Sequence, residues 1–305
     1  MKTWLRACAL ALMGMACAAA TPPTPPTPLL WEARTDAGTV YLLGAFHLLT
    51  TDDYPLHPTV DAVYQKADRL VFEVDPAAMG APETVAAIQA MARFNDARRL
   101  RRVIAPKTAK KLKAFLGGEA AMAAADAFKP WFMGLNIAMG SMASIGLDAK
   151  LGLDQHFMQR AAADGKPVSG LETVQQQMGA LDRSPLDEQE LMLLEALAPL
   201  AEKRERILQM HTLWRQADVA ALEQLVNEDM RARTPRMYEL LNRERNTNWL
   251  PQIIAMLGET RTTLVVVGSM HLIGDDGLVA LLRRHGIEVR RVQPDTQLQR
   301  LDEAA

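Results

Sequence analysis

Two histidines stand in matching surroundings. Gly44-Ala45-Phe46-His47 follows the apolar run Thr39-Val40-Tyr41-Leu42-Leu43, and Gly268-Ser269-Met270-His271 follows Thr263-Leu264-Val265-Val266-Val267. The Thr, the Gly, the His and the next leucine (Leu48, Leu272) coincide, and each segment is followed by an acidic pair, Asp52-Asp53 and Asp275-Asp276. This reads as an internal repeat found at the two ends of the chain. A glycine such as Gly44 or Gly268, at the carboxyl end of a buried strand, permits a sharp turn and close backbone approach. The residues just beyond it lie in the crevice where open α/β sheets bind ligands. If the two strands are neighbours, His47 and His271 converge. Glu73 interrupts a third apolar run, Leu70 to Val74, where an unpaired carboxylate would be costly. A cation or an arginine relieves that cost. Two imidazoles and a carboxylate are a common shell for Zn²⁺, Mn²⁺, Fe²⁺ or Co²⁺ with positions left open. The chemistry this predicts is hydrolysis by a metal-activated water, with Glu73 either ligand or general base.

The elements that must hold these groups are legible in outline. The runs ending at Gly44 and Gly268 are continuous, apolar and β-branched-rich, as strands covered on both faces are. Leu70 to Val74, Pro167 to Leu171 and Ile287 to Val292 are further strand candidates. Helical periodicity covers a crossover around Leu56 to Ala67 and, further on, Glu83 to Phe94, Pro106 to Leu116, Leu153 to Ala163 and Asp187 to Leu200. It resumes at Val219 to Met230 and Pro235 to Leu257, where Pro251 predicts a kink or a new start. The Met-rich stretch Trp131 to Leu147 is short for a membrane span, and is expected to be a packed core helix or a lid, with a homodimer face as the other reading. The fold class expected is α/β. A central sheet is built from two strand–GxxH–helix–strand halves at the chain ends, with a large helical insertion between them at about 80–257.

Composition bounds the chemistry further. Lys2 and Arg6, the apolar run Ala7 to Ala16, and Ala18-Ala19-Ala20 form a secretory signal pattern over residues 1–20. A Pro/Thr tether is expected over 21–29, a single domain over 30–295 and a tail over 296–305. The protein is therefore expected to be periplasmic or secreted, and membrane-attached only if lipidated at Cys17. Both cysteines, Cys8 and Cys17, lie in the leader. A chain cut after Ala20 has no thiol, which excludes disulfides, thiolate nucleophiles and Cys-ligated metals. Loss of Lys2 and Arg6 moves the formal charge from −2 to −4, so no basic field invites nucleic acid. Ser269 has Ala45 at the matching position and no Gly-x-Ser-x-Gly elbow, which argues against a serine hydrolase.

The ordered set Gly44-Ala45-Phe46-His47, Glu73 in Val71-Phe72-Glu73-Val74-Asp75, Gly170-Leu171-Glu172-Thr173, Glu244-Arg245-Asn246 with Trp249, and Gly268-Ser269-Met270-His271 resembles the TraB/PrgY/GumN family over about Leu30 to Val292. That family is related to the Tiki proteases and, more distantly, to haem-binding ChaN-like and erythromycin-esterase-like proteins. The resemblance implies an α/β fold with paired Gly-x-x-His halves and, by its Tiki branch, metal-dependent peptide hydrolysis supported by Mn²⁺ or Co²⁺. Its ChaN-like branch implies the alternative, haem or iron held by the same histidines without catalysis. A regulatory protein of the same fold is the third reading. The resemblance makes Arg245 the candidate for stabilising oxyanion charge or clamping a substrate carboxylate, and Asn246 its orienting neighbour. Glu172 is expected either to join the site or to serve as an acid at the start of the next helix. Asp154 is a further candidate. His57, His156, His211 and His285 are expected at ordinary surface or core positions. The substrate, peptide or small molecule, is not legible.

Overall fold

The computed structural model describes residues 24–293. The leader with Cys8 and Cys17 and the tail at 296–305 lie outside the described residues. Six strands form one sheet: β1 Leu30–Arg34, β2 Thr39–Ala45, β3 Arg69–Val74, β4 Val168–Glu172, β5 Thr262–Gly268 and β6 Glu288–Arg291. Their spatial order is β4-β3-β5-β2-β1-β6. β2, β5, β3 and β4 run parallel, while β1 pairs antiparallel with both β2 and β6. β2 and β5 are direct neighbours, with Gly44 opposite Val267 and Ala45 opposite Gly268. Helices cover both faces of these strands, so they carry no polar side: Val40, Leu42, Leu43, Leu264, Val265 and Val266 are all buried. The expected α/β class holds, with the paired halves interleaved at the sheet centre, since β5 sits between β2 and β3.

Three readings change in detail. β1 was not expected, because Leu30-Trp31-Glu32-Ala33-Arg34 is short, carries two charges and follows a Pro-rich run. The described part of that run, from Thr24 on, lies along the body. Arg215 bonds the Thr24 carbonyl and accepts from the Thr27 amide through its own carbonyl, while Leu29 is buried. Pro251 starts no new helix: Glu244–Leu257 runs through it. Thr247 and Pro251 both face solvent, so water can satisfy the carbonyl that proline leaves unbonded. The irregular stretches fall instead at two π-helical segments, Glu223–Glu228 and Glu239–Arg243.

Among the described residues no helix is long and apolar enough to cross a membrane. The Met-rich stretch forms the helix Pro130–Met142, packed on Leu186–Ala196. Gly134 is required there, since a Cβ would sit 3.2 Å from the backbone of Leu193. Trp131 is fully buried.

The helix Leu200–Gln216 fixes the exit from β2. Trp214 Nε1 donates to the Gly44 carbonyl at 2.9 Å, and His211 Nε2 lies 3.0 Å from the buried Asp53 carboxylate, which Arg215 also holds. Burial would raise the Asp53 pKa, but hydrogen bonds from His211, the Thr50 amide and Arg215 outweigh it and hold the group at about 2. A carboxyl depressed on folding contributes stability that is present above its unfolded pKa near 3.8 and lost as pH falls through about 2. Asp53→Asn is expected to destabilise by about 2–4 kcal/mol at pH 7. Urea unfolding should show the gap between wild type and variant closing between pH 4 and 2. A gap independent of pH would contradict the assignment.

Candidate functional site

The sheet order sets four side chains in a row at the carboxyl ends of its parallel strands. Glu172 ends β4, Glu73 lies one residue from the end of β3, His271 follows β5 and His47 follows β2. The helix Glu244–Leu257 crosses this edge and lowers Arg245 and Asn246 onto it. All residues expected at the site are thus brought together, with Asp154 added from the helix Leu153–Asp164.

Arg245 is the hub. Its Nη2 donates to Glu73 Oε2 at 2.6 Å and to Glu172 Oε1 at 2.6 Å, and its Nε to Glu172 Oε1 at 2.9 Å. Its Nη1 lies 3.0 Å from His271 Nε2 and 3.1 Å from the Leu241 carbonyl. The guanidinium carbon sits 4.6 Å from the Trp249 ring centroid, a cation–π contact. Glu172 therefore bonds inward to Arg245 rather than serving as an acid at the next helix, whose start is capped by Thr173. Glu73 accepts further bonds from the Gly268 amide at 2.7 Å and from Gln177 at 3.0 Å.

Both histidines are held by their Nδ1. Arg245 donates to His271 Nε2, so the His271 proton is on Nδ1, which donates to Asn246 Oδ1 at 2.8 Å. Asn246 thus orients the histidine. His47 Nδ1 lies 3.2 Å from Asp154 Oδ1. The loop passes Gly152, whose missing side chain lets the His47 carbonyl come close. His47 Nε2 turns inward toward Gly268, while His271 Nε2 faces Arg245 and its Cδ2 faces Gly268. A Cβ added there would lie 3.2 Å from both Glu73 Oε1 and His47 Nε2, and 3.7 Å from His271 Cδ2. Gly268 is therefore needed for space and not for a special φ, which is −52°. Gly44 is likewise tight, a Cβ meeting that of Leu29 at 3.1 Å.

The electrostatics follow from this packing. Burial would raise the Glu73 pKa, but Arg245 first, then the histidines and the Gly268 amide, hold it well below the usual carboxylate range. Burial and Arg245 push His271 down to about 3, so it is neutral. Burial lowers the His47 value too. Against it, the hydrogen bond and charge of Asp154 and the charge of Glu73 prevail and raise it to about 9. Burial pushes Glu172 up against the pull of Arg245.

Among the described residues, no group of three or more His, Cys, Asp or Glu stands ready-made around a metal. His271 Nε2 and Glu73 Oε1 are 3.9 Å apart, but the guanidinium takes the His271 lone pair and one Glu73 oxygen. The arginine alternative for relieving Glu73 is the one observed.

Asn227 and Asn242 join the site without having been singled out. Both donate to the Met270 carbonyl, at 3.1 and 3.0 Å. They also continue a buried chain, in which Asn246 donates to Asn242, Asn242 to Asn227 and Asn227 to Glu223. Three fully buried asparagines fix the residue before His271 and the tautomer of His271 itself. Asn242 and Asn227 lie in the two π segments, which no local propensity announces. The spacing Asn242–Asn246 on one helix face was the available signal. His57 caps the helix Pro58–Lys66, His156 packs on Tyr54 and His285 bonds the Leu281 carbonyl, all outside the site.

Removing Arg245 would leave two buried carboxylates without their cation. Arg245→Met is expected to cost about 3–5 kcal/mol in urea unfolding. Adding Glu73→Gln and Glu172→Gln should recover part of that loss. A triple variant less stable than the single one would contradict the pairing.

A family model described as TraB/PrgY/gumN family matches residues 29–291. The chain is also 24% identical over 248 residues to the protein YbaP of Escherichia coli K12, spanning 80% of this chain and 87% of that one, and equally to YbaP of Shigella flexneri. YbaP is described only as uncharacterized. No solved structure shows a significant match. From the extent of the family match, the chain belongs to the TraB/PrgY/gumN family.

Proposed function

We propose that this chain is an exported metal-dependent hydrolase, acting on a peptide or a similar small amide at the His47–Glu73–His271 cluster. The observation that carries the reading is the orientation of the two imidazoles. Each has Nδ1 tied outward, to Asp154 and to Asn246, which leaves His47 Nε2 beside the space at Gly268 and His271 Nε2 3.9 Å from Glu73 Oε1, where Arg245 holds it. Metal-ligating histidines are held in this manner by outer carboxylates and amides. The donor set fits a divalent ion such as Mn²⁺, Co²⁺, Zn²⁺ or Fe²⁺ provided Arg245 gives up His271 Nε2. Such an ion supplies Lewis acidity and lowers the pKa of water.

The chain's own groups divide the remaining work. Glu73, kept anionic by its surroundings, suits a ligand better than a proton acceptor. Glu172, raised by burial, is the carboxylate better tuned to exchange a proton. Arg245, if released from His271, would offer its Nη1 donor to developing oxyanion charge. Export rests on the leader pattern of residues 1–20.

The test is elemental analysis of the mature protein after reconstitution with each ion, followed by a peptide-library assay. About one equivalent is expected in the native protein, with loss in His47→Ala/His271→Ala. Gly268→Ala, which crowds Glu73 and His47 from an ordinary backbone conformation, is expected to weaken retention roughly tenfold without unfolding the chain. A Soret band persisting through purification, with no metal-stimulated hydrolysis, would replace this reading by haem binding.

A further inference from the structure

Beside His47 and Glu73 opens a cavity of about 590 Å³, within the roughly 300–1,000 Å³ range of ligand pockets. Its floor is catalytic in the reading above, and its walls are mainly apolar, with Lys150, Asp154, Gln155 and Gln177 as the further polar residues of the lining. Four methionines reach it from four separate helices: Met79 of Pro76–Met79, Met139 of Pro130–Met142, Met158 of Leu153–Asp164 and Met178 of Val174–Asp182. Phe72 of β3 adds an aromatic wall. Met79 and Met139 leave 46% and 50% of their surface in solvent. Large apolar side chains at such exposure, gathered at one mouth, mark a binding surface more than a packed core.

We infer that this cavity takes a bulky uncharged apolar group of the substrate, aliphatic or aromatic, attached next to the bond that lies over His47 and Glu73. Anything filling the cavity touches both residues, so the occupant is part of the reacting molecule. Methionine thioethers are flexible and polarizable, so the methionine side of the cavity adapts to several apolar shapes. The substrate class of the proposed hydrolase is thereby narrowed, and the inference rests on that reading for the reaction but not for the binding.

The experiment separates the two. The neutral fluorophore N-phenyl-1-naphthylamine is titrated into the mature wild type, Met79→Gln/Met139→Gln and His47→Ala/His271→Ala. The glutamines replace exposed side chains of similar length, so folding is retained. Saturable binding is expected, weakened at least about fivefold by the glutamine pair and less by the histidine pair, which removes one polar residue of the lining. Displacement by N-acetylphenylalaninamide would assign the group to an amino-acid side chain, and displacement by octanamide alone to an acyl chain. If peptide hydrolysis is found, the glutamine pair should lower kcat/KM more for substrates with Phe or Leu beside the bond than for those with Ala. Methionine-dependent binding without any hydrolysis would sink the hydrolase reading and leave the pocket standing. No saturable binding, or equal binding in the glutamine pair, would overturn the inference.

Discussion

A guanidinium buried at the edge of a sheet must be paired, and Arg245 is paired with groups from three different strands. Glu172, Glu73 and His271 come from the ends of β4, β3 and β5, and one planar fork reaches all three. An isolated buried charge would cost several kcal/mol. The structure therefore depends on these strand ends arriving at fixed positions, and the arginine in turn holds them there. Everything behind it serves that requirement. Trp249 supports the guanidinium from below, Leu241 caps Nη1, and the asparagine chain from Asn246 to Glu223 locks the turn that carries His271.

The same arrangement poises the site for a cation. Glu73 and Glu172 face a single guanidinium, so any ionised state of both carries excess negative charge. The Asp154 and Glu73 carboxylates favour the charged form of His47, which offsets that excess. A divalent ion at Gly268 would take over that role and would also compete with Arg245 for His271 Nε2. Metal and arginine are thus alternatives for the same lone pair. On this account the arginine is a placeholder that keeps the two carboxylates and the imidazole assembled. With an ion bound to His271 Nε2, Arg245 Nη1 would be left as a free donor. The cavity is lined by His47 and Glu73 and not by Glu172, so a substrate group held there would bring its polar bond to the His47 and Glu73 end of the charged row.

Much of this was legible in residues, and the limits are physical. Continuous β-branched runs ending in glycine identified β2 and β5, because full burial leaves no other composition. A lone glutamate in the apolar run of β3 identified Glu73, because burial makes such a residue informative. β1 was invisible, since its alternation over five residues is broken by the charges of Glu32 and Arg34. Leu200–Gln216 was missed because, of its buried residues, only Ile207 is aliphatic, while His211 and Trp214 are polar-tipped anchors. Pro251 suggested a break that solvent exposure renders harmless, while the actual irregularities, the π segments carrying Asn227 and Asn242, leave no local mark. Whether Glu73 meets a cation or an arginine is a tertiary fact, fixed by a helix that lies more than 170 residues further along the chain.

The central claim, that His47, Glu73 and His271 form one cation site for which Arg245 stands in, is tested most directly by anomalous diffraction from crystals of the mature protein grown with Mn²⁺. The account predicts one strong peak bounded by His47 Nε2, a Glu73 oxygen and His271 Nε2, with the Arg245 guanidinium turned away from His271. A peak elsewhere, or Arg245 still bonded to His271 Nε2 in manganese-saturated crystals, would contradict it.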